Sequence, residues 1–291
     1  MKILLFGKNG QLGWELRRTL APLGAVTSLD YEDLDLLDLA AVRRIVREER
    51  PDLIVNASAY TDVDKAESEK EKAWTINATV PGILAEEART LGASLIHYST
   101  DYVFDGTKGG PYHEEDLPNP LNVYGRSKLG GEEAVRAADG AYLVFRTAWV
   151  YSTRGNNFIS KTLAWARRNE TLRIVDDQIS NPTWARMLAE TTSLLLARGG
   201  RHPAGWMAER KGIYHLAGDG YASRLEWSKR ILEFDPNPGE QIVKGLLPAR
   251  SSDFPAPAQR PTFSALSCER FASTFGLRLP PWQEALPLAM G

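Results

Sequence analysis

A single cysteine, Cys268, excludes a disulfide within the chain and suits a reducing compartment. The four histidines, His97, His113, His202 and His215, show no metal-ligand spacing and read as structural or surface residues. With a net charge of −2 and a pI near 6.2, there is no electrostatic reason to expect nucleic acid or an anionic membrane as partner. No apolar run approaches the roughly 18 residues that a membrane helix needs. An apparent strand beginning at Lys2 leaves no room for a signal peptide, so the expectation is a cytoplasmic protein. What remains is ordinary globular material, 43% hydrophobic and 25% charged. At 291 residues it exceeds the usual single-domain size, which predicts one large domain and a smaller one.

Short apolar runs alternate with helix-length amphipathic segments through the first half. Strands are predicted at Lys2–Phe6, Ala25–Leu29, Asp52–Asn56, Ser94–Tyr98 and Tyr142–Phe145, with helices near Leu12–Leu20, Leu39–Glu49, Lys72–Leu91 and Val123–Ala138. This alternation predicts an α/β fold with a doubly wound parallel sheet, whose ligands bind beyond the carboxyl ends of the strands. Gly7, Ala57, Thr100 and Thr147 each follow a run and should therefore face one crevice. Beyond about residue 155 turn-forming residues become frequent. Helices are expected near Phe158–Arg168, Trp184–Ala197 and Arg224–Phe234, and an irregular loop over the proline-rich Pro248–Pro261. The predicted division is a nucleotide-binding domain over 1–155 and a smaller substrate lobe over 156–291, some of whose segments return to the main sheet.

Two motifs carry chemistry. Gly7-Lys8-Asn9-Gly10-Gln11-Leu12-Gly13 joins the first strand to the first helix. There glycine lets the backbone turn sharply and approach a pyrophosphate, which the helix N-terminus then meets. Asp30, at the end of the second strand, can accept hydrogen bonds from an adenosine ribose or can be a solvated turn residue. No Lys or Arg lies between Gly24 and Val42 to pair with a 2′-phosphate, so local charge leans towards NADH over NADPH. The second motif is Tyr124 and Lys128, spaced i, i+4 on one helix face after the fourth strand, with Thr100 closing that strand. An ammonium beside a phenol of pKa about 10 should lower it into a useful range. Thr100 can donate to a substrate carbonyl or to the phenol. Trp149, after the fifth strand, is placed to stack on a sugar or base or else to fill the core.

The chain resembles the dTDP-4-dehydrorhamnose reductases, a branch of the extended short-chain dehydrogenases/reductases, nearly end to end. The marks are Gly7–Gly13 with Trp14-Glu15-Leu16, Asn56-Ala57-Ser58-Ala59-Tyr60-Thr61 with Val63–Glu67, Tyr98–Gly106, Pro120–Gly125, Arg146–Tyr151, Gly155–Phe158 and Arg260-Pro261. The string Thr100-Asp101-Tyr102-Val103-Phe104-Asp105-Gly106 is much more specific than the glycine motif. The resemblance implies a Rossmann-type cofactor domain and reduction of the C4 ketone of dTDP-4-dehydro-L-rhamnose by NADPH or NADH, for rhamnose-containing polysaccharide. It also implies that Tyr124 is the proton donor, that Lys128 holds the nicotinamide ribose, and that Thr100, Asp101, Trp149 and Arg260 contact the sugar nucleotide. Gly10, Gln11 and Leu12 would hold the pyrophosphate. Asp30, Asp35, Leu36, Ala59, Tyr60, Thr61 and Tyr98 would complete the cofactor site.

The chain departs from the family pattern in two places. Some relatives hold Mg²⁺ at a homodimer contact through glutamates. Glu15 and Glu190 match two of these, but the ending Leu286–Gly291 carries no carboxylate side chain. Asp177-Gln178-Ile179 is followed by Ser180 where Gly is frequent. Other readings stay open. Dehydratases of this fold carry Thr-Asp-Glu, where this chain has Tyr102. The accessory subunit of methionine adenosyltransferase also resembles these reductases and would be non-catalytic. A different nucleotide-4-ketosugar, or the talose epimer as product, is equally compatible with the motifs.

Overall fold

The computed structural model describes residues 1–200 and 202–291. Five strands, β1 (Lys2–Phe6), β2 (Ala25–Leu29), β3 (Leu53–Asn56), β4 (Ser94–Thr100) and β5 (Ala141–Thr147), lie parallel in the order β2-β1-β3-β4-β5. A sixth strand, Gly212–His215, adds in parallel outside β5. Its absence from the sequence-based expectation has a simple cause. Four residues beginning with glycine, on a sheet edge, give too short an apolar run to recognise.

Both faces of the sheet are covered, and side-chain alternation shows how. Ile3, Leu5, Val55, Ile96 and Leu143 join one core, and Leu4, Phe6, Ile54, Leu95 and Val144 the other. The helices of the first half are α1 (Gln11–Leu20), α2 (Leu39–Glu49), α3 (Val63–Ala66), α4 (Lys70–Trp74), α5 (Val80–Leu91) and α6 (Val123–Ala138). A π-helical stretch, Thr75–Thr79, joins α4 to α5, so the helix expected over Lys72–Leu91 forms with a widened turn inside it. The helices α2, α5 and α6 supply Val42, Val46, Leu84 and Val135 to the second core.

The opposite face is covered by α1 and by parts of the chain far beyond residue 155. Helix Ala185–Arg198 packs along α1, and Leu188, Leu195, Met207, Tyr214 and Phe271 are buried with Leu16 in one core. The rest of the second half forms a smaller layer. It contains helices Phe158–Ala166, Arg224–Glu233 and Trp282–Met290 around the fully buried Trp227. Three two-stranded sheets brace it, one of them pairing Thr171–Val175 with Gly245–Ala249. No helix among the described residues is long and apolar enough to cross a membrane.

The sixth strand carries His215, fully buried, with Nδ1 between the carbonyl oxygens of Tyr112 (3.1 Å) and Ser267 (3.2 Å). Burial, reinforced by the nearby Arg146 charge, pushes its pKa from 6.5 down to about 3. The unfolded chain thus binds a proton that the folded chain refuses. Stability from this group is full above pH 6.5 and is lost as pH falls towards 3. Measured by urea unfolding between pH 7 and 5, the native protein should lose up to about 1.4 kcal/mol per pH unit for each such histidine. His215→Asn should be less stable at pH 7 but show a shallower pH slope. Superimposable slopes would remove His215 as a source.

Candidate active site

The chain turns left from β1 to β2 and then returns across β1 to β3, so the sheet's switch point lies between β1 and β3. A cleft of about 990 Å³ opens there, at the carboxyl ends of the strands. Gly7 lies in its floor, and Gly13 packs against Gly7 outside the lining. Gly7 sits at φ +87°, and a Cβ on it would lie 2.8 Å from the backbone of Ala57 and Ser58. A Cβ on Gly13 would lie 1.8 Å from the Gly7 carbonyl oxygen, so the first turn of α1 rests directly on the loop below. Gly10 and Leu12 line the cleft above them. These are the features of a backbone cradle for a pyrophosphate, and the residues present fit a dinucleotide.

Around this floor, Asp30, Asp35, Leu36, Ala59, Thr61 and Tyr98 also line the cleft. Asp30 accepts from the backbone N–H groups of Asn9 and Tyr31, both at 2.8 Å, which ties the glycine turn to the end of β2. A cation that sequence reasoning missed stands here. Lys8, from the glycine turn itself, pairs with Asp33 at 2.6 Å. The residues flanking Asp30 in sequence carry no cation, and folding brings one to Asp33 from 25 positions earlier, in the glycine turn. Gln11 reaches across the cleft. Its amide donates to the Val150 carbonyl, and its oxygen accepts from Ser152 and Asn157. The expected pyrophosphate ligand is thus also a strut to the second layer. Gly13 and Tyr60 are not in the lining. The Tyr60 hydroxyl donates to Glu69, and its backbone N–H to Asn77.

The catalytic candidates converge on the same cleft, where Thr100, Tyr124 and Lys128 all line its wall. Asn122 caps α6 by accepting from the Gly125 N–H at 2.8 Å, and its amide donates to the Gln259 carbonyl. Gly125 lets that first turn press on the Tyr102 carbonyl, where a Cβ would come within 2.2 Å. Farther along α6, Glu132 is fully buried in an ion pair with Arg146 of β5 at 2.6 Å, and it also accepts from Ser99. Lys128 is buried and donates to the Tyr98 carbonyl at 2.6 Å, with His97 Nε2 at 3.4 Å. Burial pulls its pKa from 10.5 to about 8, against the opposing pull of Glu132.

Here the structure departs from the sequence expectation. The Tyr124 pKa is raised, not lowered. Burial dominates, the neighbouring Thr100 hydroxyl opposes it, and the Lys128 side chain is turned to the Tyr98 carbonyl. Spacing i, i+4 puts both residues on one face but does not aim the long lysine side chain.

The substrate-side residues divide. Trp149 lines the cleft in a left-handed conformation, φ +37°, which is rare for a bulky residue. It stacks on Trp227 at 5.5 Å, and Arg224 lies 3.6 Å from its ring centre. Arg224 was not foreseen, since nothing in the sequence places residue 224 beside residue 149. Asp101 touches the cleft, but its carboxylate accepts from Thr100, Ser180 and Ser264. Burial still raises its pKa against those three hydroxyls. Those bonds tie β4 to two distant segments. Arg260 lies outside the lining and forks onto Asp64 at 2.7 and 3.1 Å. Glu15 is paired with Arg18 and Glu190 with Arg186, and no group of three or more His, Cys, Asp or Glu that could hold an ion occurs among the described residues.

The comparisons with known proteins agree along the whole length. Residues 1–290 match the family described as the RmlD substrate binding domain. A dTDP-4-dehydrorhamnose reductase of Burkholderia thailandensis is 43% identical over 293 residues, covering 100% of this chain and 98% of that protein. The crystal structure of a dTDP-4-dehydrorhamnose reductase from Clostridium acetobutylicum matches with a TM-score of 0.90 at 34% identity, over 100% of this chain and 98% of that one. The Bacillus anthracis dTDP-4-dehydrorhamnose reductase, solved in complex with NADP, matches with a TM-score of 0.88 at 32% identity, over 99% and 98%. With its glycine cradle, its Thr100–Tyr124–Lys128 wall and this full-length similarity, the chain belongs to the RmlD substrate-binding-domain family.

Proposed function

We propose that the protein reduces the C4 ketone of dTDP-4-dehydro-L-rhamnose to the alcohol of dTDP-L-rhamnose, using a nicotinamide cofactor. The observation that carries this is the convergence of Thr100, Tyr124 and Lys128 on the cleft that the glycine turn floors. When bound, the dihydronicotinamide supplies a hydride to the carbonyl carbon. Tyr124 gives its phenolic proton to the carbonyl oxygen, so hydride and proton together convert C=O to CH–OH. Its raised pKa suits this direction, because the phenol keeps its proton at neutral pH until the oxygen becomes basic. Thr100 lies beside Tyr124 and is placed to orient the same oxygen. Lys128, reaching the cleft from α6, would hold the cofactor ribose, and Trp149 would face the sugar. Tyr102, where dehydratases carry glutamate, packs edge-on against Tyr124 at 5.9 Å and offers no carboxylate for elimination.

NADPH is supported by Lys8. An ammonium beside Asp33, in the loop whose Asn9 N–H meets Asp30, can turn to a 2′-phosphate without a new side chain entering. NADH remains compatible through Asp30.

Absorbance at 340 nm, followed on adding enzymatically prepared dTDP-4-dehydro-L-rhamnose, should fall with NADPH, and NMR of the product should show the rhamno configuration. No oxidation of either cofactor by folded protein would overturn the assignment, and a talo product would correct its stereochemistry. Tyr124→Phe should bind cofactor normally while losing roughly a hundred- to ten-thousand-fold in kcat. Unchanged turnover would take Tyr124 out of the reaction. Lys8→Ala should raise KM for NADPH on the order of tenfold, as expected when one charged contact is lost, and change KM for NADH little. An equal change for both cofactors would deny Lys8 the phosphate.

A further inference from the structure

His97, on β4, is fully buried and does not touch the cleft lining, yet it stands 3.4 Å from the catalytic lysine. Its protonation can be worked out from its neighbours. Asn56 Oδ1 accepts from the backbone N–H of Ser58 at 3.1 Å and from the Ser58 hydroxyl at 2.6 Å. A backbone N–H can only donate, so the amide orientation of Asn56 is settled, and its Nδ2 must be the atom 3.1 Å from His97 Nδ1. An amide nitrogen donates, so His97 Nδ1 accepts. A neutral imidazole that accepts at Nδ1 carries its proton on Nε2, and Nε2 faces Lys128 Nζ. Gly131 permits this approach from α6, since its missing Cβ would stand 3.5 Å from His97 Nε2 and 2.1 Å from the Asn77 carbonyl oxygen.

We infer that His97 is a positioning residue for Lys128. Locked by Asn56 and Ser58 as the Nε2–H tautomer, it presents a donor to Nζ, biases the lysine towards the neutral amine and turns its remaining hydrogens to Tyr98 and the cleft. The chain of donors runs Ser58, Asn56, His97, Lys128, Tyr98 carbonyl, and it closes without a clash when Nζ has a lone pair to offer. An ammonium there sets two donors against each other.

The other groups around Nζ do not supply this bias. Glu132, one turn along α6, favours the ammonium, and its own charge is largely taken by Arg146 of β5. Tyr98 contributes only its carbonyl, since its phenol is bonded to Thr192 at 2.7 Å. Asn56 is neutral. Burial lowers the lysine pKa in any event, and His97 adds a directional component, because it sets which side of Nζ carries hydrogen. Its own imidazole stays neutral, disfavoured as a cation first by burial and then by Lys128.

The consequence for turnover rests on the proposed role of Lys128 at the cofactor ribose, but the first test does not. In protein labelled with ¹⁵N-histidine, two-bond ¹H–¹⁵N correlations should show His97 as the Nε2–H tautomer, neutral from pH 8 to 5. That window brackets its unperturbed pKa of about 6.5. The Nδ1–H form, or an imidazolium in that range, would overturn the inference whether or not the reductase assay succeeds. In ¹³C-lysine-labelled protein, with Lys128→Met for assignment, the Lys128 titration should move up by roughly one pH unit in His97→Leu. His97→Gln can accept from Asn56 and still direct an N–H at Nζ, so it should titrate close to the native protein. If both variants fold and titrate like the native protein, His97 is packing and nothing more. Where cofactor turnover is measured, the basic limb of the kcat/KM profile should move with the lysine titration in His97→Leu and stay in place in His97→Gln.

Discussion

The buried ion pair between Glu132 and Arg146 holds α6 to the sheet, and the geometry of the cleft follows from it. Both charges are almost wholly removed from water, and the pair closes at 2.6 Å with Ser99 as a third partner, leaving only Arg146 Nη1 of its donors without an acceptor. Such a pair is a poor source of net stability, but removing one partner strands a charge at a cost of about 3–5 kcal/mol. It therefore fixes register more than it adds strength. Tyr124 and Lys128 lie two turns and one turn before Glu132 on α6, so the depth at which they meet the end of β4 is set by where Glu132 finds Arg146. The same carboxylate is the one charge that keeps Lys128 from losing its proton more readily.

Much of the first half was legible because its signals are local. Alternating apolar runs placed β1 and β2 to the residue and β3 within one, and found β4 and β5 two and three residues short. Gly7 and Gly13 mark a turn that no side chain could occupy, and the Tyr124–Lys128 spacing put two groups on one face. The parts that were not legible are long-range. The Gly212–His215 strand is recognisable only once β5 offers it an edge. Lys8 reaches Asp33, Arg224 reaches Trp149, and Asp101 is met by Ser180 and Ser264, each from a distance that periodicity does not span. The error over the Tyr124 pKa has the same origin. A neighbour's charge is read easily from spacing, whereas burial depends on everything packed around the phenol.

The two sides of the cleft are built on different physics. The cofactor side is backbone, with glycine cradle, strand ends and helix N-terminus, and it tolerates little change because carbonyl and amide positions define it. The side that bears Trp149 is backed by aromatic rings and a cation, of which Trp149 alone reaches the lining. Trp149, Phe158 and Trp227 stack on one another or on Arg224, whose guanidinium burial lowers to about pKa 10 while leaving it charged at neutrality. A left-handed Trp149 held in that stack is a platform whose angle is fixed by packing, not by hydrogen bonds.

The return of the late chain to the early sheet bears on how the protein comes to exist at a ribosome. Residues 1–147 contain five strands and every catalytic candidate, yet one face of their sheet is covered by α1 only in part and is completed by Leu188, Leu195, Met207 and Phe271. Until those residues emerge, that face is an exposed apolar surface with an open edge at β5, a state prone to association. A cut at the point where the sequence changes character would therefore leave part of that face bare.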